Sequence, residues 1–133
     1  MLSFWVVGVY ESIIVICMKI VGVYTEKFNE LTGQQIVCGN IYQSDGLYKH
    51  IQKRHPDCLD DIDSIPLIIS CPDYIGHNPR EPESVELVKR LEANLMVCVK
   101  LDIKENYLYV ASLFEISEAK IESRLQSGRL TKF

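Results

Sequence analysis

Apolar positions along this chain change their spacing near residue 72. Before it they come as short helix-spaced pairs between capping and breaking residues, and after it they alternate with polar residues in strand-length runs. Thr25 stands where a helix cap belongs, the helix runs to Leu31, and Gly33 ends it. "QQIVCGNIYQ" (34–43) reads as extended. Ser44-Asp45-Gly46 opens a second helix, with Ser44 as cap and Asp45 favourable at the positive helix end. Its inward ridge is Leu47 and Ile51 at i, i+4. Pro56 ends that helix, because the residue before a proline is pushed out of helical conformation. "DCLDDIDSIPLIISCP" (57–72) predicts short helical pieces, started at Ser64 and Pro66 and stopped at Cys71-Pro72.

"DYIGHNP" (73–79) is a short strand followed by a turn. Residues 84–90 place Val85, Leu87 and Lys89 against Glu86, Val88 and Arg90. Short polar loops lead on to runs over 95–102 and 107–114, so an antiparallel meander is the economical arrangement. On the last run Leu108, Val110, Ser112 and Phe114 are expected on one face, and Tyr107, Tyr109, Ala111 and Leu113 on the other. A closing helix has Ser117 as its cap, Glu118 in its first turn, an Ile116–Ile121 staple and Gly128 as its stop. The predicted fold class is α+β: short N-terminal helices packed on a three- to four-stranded antiparallel sheet, with a C-terminal helix.

The first 24 residues, "MLSFWVVGVYESIIVICMKIVGVY", are strongly apolar. They lack the basic stretch that opens a secretory signal, and Glu11 and Lys19 interrupt a spanning run. Their Val, Ile, Trp and Tyr content favours strand. The expected organisation is an apolar extension over 1–17, with Met18 as a natural start, and a single domain over 18–133. Membrane anchoring through residues 1–17 is the alternative for that segment.

Composition sharpens this only in part. With 133 residues, 47% apolar and 24% charged, the chain suits one folded domain. A net charge of −4 argues against binding nucleic acid by overall basicity, yet charge is uneven: 57–63 is acidic and 117–133 is mainly basic. The five cysteines (Cys17, Cys38, Cys58, Cys71, Cys98) are odd in number and never spaced as C-x-x-C. Free thiols in a cytoplasmic protein are the simple reading.

Candidate chemistry gathers at "KHIQKRHP" (49–56). His50 and Arg54 share a helix face at i, i+4. His55 lies off that face in a continuous helix, but Pro56 can swing it round. Two imidazoles can supply an acid and a base near neutral pH, and Arg54 can hold phosphate charge. The same residues equally suit a solvated basic helix end. His50, His55, Cys58 and His77 match no usual zinc spacing, so no metal and no cofactor is expected. Ser112 and Lys100 are polar members of apolar strands, either phosphate donors or ordinary strand residues. Lys120 and Arg124 form a basic stripe that serves as a phosphate edge or pairs with Glu118 and Glu122.

Five pieces in order, "IYQSDGLYKHIQKRHP" (41–56), "IPLIISCPDYIGHNP" (65–79), "MVCVKLD" (96–102), "YLYVASLFEIS" (107–117) and "SGRLTKF" (127–133), resemble the phage-type nuclease domains grouped with barnase, EndoU, colicin and RelE-type ribonucleases. The resemblance spans about Lys19 to Phe133. It implies helices on one antiparallel sheet, metal-independent cleavage of RNA but not DNA, and a phage- or mobile-element toxin or effector with a neutralising immunity or antitoxin protein as possible partner. By the motif positions it implies His50, His55, Ser112 and Lys120 as catalytic. Arg54, Lys100 and Arg124 are expected substrate-binding residues from position and charge. A non-catalytic RNA- or protein-binding module of the same fold is the competing expectation.

Overall fold

In the computed structural model, which describes residues 18–133, the period-two pattern builds a larger sheet than the meander alone. The elements are β1 (Met18–Tyr24), α1 (Glu26–Thr32), β2 (Gly39–Ser44), α2 (Asp45–Arg54), a 3-10 stretch (Pro56–Ser64), α3 (Ile65–Ser70) and β3 (Tyr74–Gly76). They continue with β4 (Ser84–Arg90), β5 (Asn94–Asp102), β6 (Tyr107–Glu115), α4 (Glu118–Ser127) and β7 (Leu130–Lys132). The chain is α+β as expected. The expectation of three or four antiparallel strands is corrected: among the described residues the sheet has seven, in the order β1-β2-β6-β5-β4-β3-β7. It is mixed, because β2 runs parallel to β6 while the other neighbours are antiparallel. The added strands pair with segments remote in sequence, so no local turn announces them. The expected apolar extension over 1–17 lies outside the described residues.

Two cores lie on the two sides of the sheet. The larger joins Val85, Leu87, Val97, Val99 and Leu113 to Phe28, Leu47, Ile51, Ile65 and Ile68 from the N-terminal helices. Full burial of each such aliphatic side chain stabilises by about 1.5–3 kcal/mol. The smaller joins Val88 and Met96 to Ile116, Ile121 and Leu130, bringing α4 onto the opposite face. Gly33 and Gly128 stop their helices as expected, and Ser117 caps α4 by accepting the Lys120 N–H. Thr25 and Ser44 hold the predicted cap positions without making a side-chain cap bond.

One irregularity decides which residues reach the second face. Cys98 pairs with Ser112 and Val99 with Val110, so Ala111 is an extra residue in β6, a bulge. Leu108, Val110 and Leu113 therefore share the large core. The expected row of Leu108, Val110, Ser112 and Phe114 is corrected: the bulge turns Ser112 and Phe114 to the other side, with Phe114 against the smaller core.

Candidate active site

A cleft of about 500 Å³ opens on that second face and is lined from α2, β4, β5, β6 and the end of α4. The ridge of Leu47 and Ile51 anchors α2 in the large core and leaves His50 and Arg54 free to face the cleft. His50 Nε2 lies 3.3 Å from Ser112 Oγ, a contact between residues sixty-two positions apart that the bulge at Ala111 makes possible. The backbone leaves helical geometry at His55 (φ −139°, ψ 58°), immediately before Pro56. Its imidazole then stacks on the Phe114 ring at 5.2 Å between centroids and sits 6.1 Å from His50.

Fixed cations surround these groups. Lys100 is paired with Glu81 at 2.5 Å, and that carboxylate holds its ammonium charged beyond the ordinary lysine range. Glu86 is 6% exposed and accepts from Arg129 Nε at 3.0 Å and Nη2 at 2.8 Å. Arg124 Nη1 approaches the same carboxylate at 3.7 Å. The hydrogen bonds to Glu86 raise the Arg129 pKa further, so this guanidinium is a permanent charge. Arg54, Lys100, Arg124 and Arg129 thus face two carboxylates, Glu81 and Glu86, in one cleft. That is a net positive lining on an acidic chain, the local charge suited to a phosphodiester. Cys98 lines the floor, and burial pushes its thiol up to about 12, so it is no nucleophile at neutral pH.

The cleft therefore brings together His50, His55, Ser112, Arg54, Lys100 and Arg124. It does not include Lys120, which is exposed on α4 one turn before Arg124. Cys58 is buried in the large core, and His77 turns to the Ser84 carbonyl, Nδ1 to O at 3.2 Å. Among the described residues no group of three or more His, Cys, Asp or Glu is placed to hold a metal ion. Sequence reasoning missed Glu86 and Arg129. Glu86 alternates with Val85 and Leu87 like an outward polar residue, and only the α4 layer reveals its burial. Arg129 follows a helix-stop glycine, and Gly128 in left-handed conformation (φ 86°) turns the chain so that β7 can run back beside β3.

A sequence model described as phage-Barnase-EndoU-ColicinE5/D-RelE like nuclease 3 matches residues 18–123. The chain belongs to this nuclease family. No curated protein and no solved structure matches the chain. The family match takes in His50, His55, Lys100 and Ser112 and ends inside α4, just before Arg124 and Arg129. Among the described residues of this nuclease no helix is long and apolar enough to cross a membrane.

Proposed function

We propose that this nuclease is an endoribonuclease that cleaves RNA by attack of a ribose 2′-hydroxyl, with His50 and His55 sharing the acid and base roles and no metal in the reaction. The observation that carries the reading is the pairing of two imidazoles 6.1 Å apart with a serine hydroxyl at 3.3 Å from His50 and four cationic side chains around them. Both rings line one cleft, so their nitrogens can address the attacking and the leaving oxygen of a single phosphodiester. One imidazole takes the 2′-hydroxyl proton as that oxygen bonds to phosphorus. The P–O5′ bond breaks, and the other imidazole gives its proton to the leaving oxygen. Ser112 holds the His50 ring in orientation, while Lys100, held by Glu81, and the exposed Arg54 stabilise charge on the phosphorane. Arg124 and Arg129, held by Glu86, extend that positive wall. Lys120, outside the cleft, is left as a contact for RNA flanking the cut.

This chemistry leaves a 2′,3′-cyclic phosphate on the upstream fragment and a 5′-hydroxyl on the downstream one. The test is cleavage of a labelled oligoribonucleotide in excess EDTA, with product termini identified by mass spectrometry. His50→Ala and His55→Ala are each expected to slow cleavage by about 10²–10⁴-fold. The same oligomer with 2′-deoxyribose throughout should remain intact. Cutting of DNA, or equal rates in wild type and both histidine variants, refutes the proposal. RNA binding without cleavage in the wild type identifies the chain as a non-catalytic module instead.

A further inference from the structure

Beyond the bulge, the second face of the sheet changes character. α4 covers one half, its Ile121 packing in one cluster with Val88, Met96, Ile116 and Leu130. On the other half, the residues of β6 that precede the bulge and point the same way are Tyr107 and Tyr109. The register sets Tyr42 of β2 beside Tyr109, Tyr109 opposite Lys100 of β5, and Lys100 opposite Ser84 of β4. One cross-strand row therefore runs Tyr42, Tyr109, Lys100, Ser84, and its last two members line the cleft. Tyr107 joins the row sideways, with ring centroids 5.8 Å from Tyr109 and 6.3 Å from Tyr42. All three tyrosines are partly exposed residues, and Ile20, opposite Tyr42 on β1, is 57% exposed.

We infer that Tyr42, Tyr107 and Tyr109 form a stacking platform for nucleobases of single-stranded RNA, continuous with the cleft through Lys100. The inference rests on the ribonuclease reading above and adds to it the conformational class of the substrate. Every base has a π face that an aromatic ring can meet, which makes such a surface tolerant of sequence. A duplex keeps those faces stacked on one another, so the platform selects unpaired RNA. Charge supports the direction of the strand. Lys100 is cationic where the platform meets the cleft, whereas the far end is net acidic, with Asp102 opposite Tyr107 and Glu105 in the following turn outnumbering Lys104 between them. Phosphates are drawn toward the first and repelled from the second, which leaves the bases to lie over the rings.

The test uses the full chain and a fluorescent 2′-O-methyl oligouridylate, which cannot be cleaved because its attacking hydroxyl is blocked. Binding is read by anisotropy at fixed salt. Tyr107→Leu and Tyr109→Leu, which keep apolar bulk but remove the π face, are expected to weaken binding by about 5- to 150-fold each. Tyr107→Phe and Tyr109→Phe should bind within about twofold of wild type, since the ring remains. The matching RNA duplex should bind more weakly and ignore the leucine changes. Leucine variants that bind the oligomer like wild type overturn the platform, as does a wild type that does not bind it, and the face then serves another partner. Tyrosine-dependent binding by a chain that cuts no RNA retains the platform and refutes the ribonuclease reading. Cleavage with tyrosine-independent binding does the reverse.

Discussion

Replacing Arg129 with alanine strips a nearly buried carboxylate of its main partner. Glu86 has a side chain 7% exposed and receives two guanidinium hydrogen bonds from Arg129, while Arg124 stands off at 3.7 Å. Removing one member of a buried pair costs about 3–5 kcal/mol, against about 0.2–1 kcal/mol for an exposed pair. Arg129 is itself 28% exposed, which places the expected loss near the lower bound, about 3 kcal/mol. The reverse change, Glu86→Gln, leaves the charges on Arg129 and Arg124, at 28% and 18% exposure, where both can turn toward water. It should therefore destabilise less than Arg129→Ala, and adding it to Arg129→Ala should recover part of the loss. Urea unfolding followed by circular dichroism reads this directly. With a slope of about 1–3 kcal/mol per molar urea, Arg129→Ala should lower the midpoint by at least about 1 M. A loss under about 1 kcal/mol, or a larger loss from Glu86→Gln than from Arg129→Ala, refutes the reasoning that the buried carboxylate is the costly partner.

Three further outcomes follow from the same structure. A Cβ on Gly76 would stand 2.1 Å from the Arg129 carbonyl, so Gly76→Ala should force β3 and β7 apart, cost about 1–3 kcal/mol in a thermal melt and reduce cleavage by displacing Arg129. Tyr24 is fully buried, donates its hydroxyl to Asn29 Oδ1 at 2.7 Å, and has its phenol pKa raised chiefly by burial. The folded state then holds this proton more tightly than the unfolded chain, so the contribution is complete below pH about 10 and is lost as pH rises past that value toward the folded pKa. Tyr24→Phe should cost about 1 kcal/mol at pH 7 and flatten the alkaline fall in stability, which urea midpoints between neutral and strongly alkaline pH will show. Iodoacetamide at pH 8 should label the exposed Cys71 and, more slowly, Cys38, whose thiol is pushed up by desolvation and by Glu26, while sparing Cys98 until the chain is unfolded, as peptide mass spectrometry would reveal.

Local chemistry in the sequence is enough to set the helix ends at Gly33 and Gly128, the Ser117 cap, and the ridge of Leu47 and Ile51. The Ile116–Ile121 pair ends up in one cluster for the same reason: residues either side of a helix cap, five apart, meet whatever surrounds them. The hairpins that join β4, β5 and β6 are equally legible, because short polar loops leave adjacent strands little choice but to pair. His55 turning out of α2 is written in Pro56. The parallel β2–β6 pairing and the β3–β7 edge depend on contacts between distant segments, for which spacing along the chain carries no signal. The bulge at Ala111 is likewise a property of two strands in register, and it alone carries Ser112 from the expected core row to His50. Glu86 reads as a surface residue until Arg124 of α4 and Arg129 behind it are folded in beside it. Sequence alone thus determined which elements form and where they stop, since those are contests among neighbouring residues. Tertiary packing decided which face each side chain meets, because burial and charge pairing depend on what arrives from elsewhere in the chain.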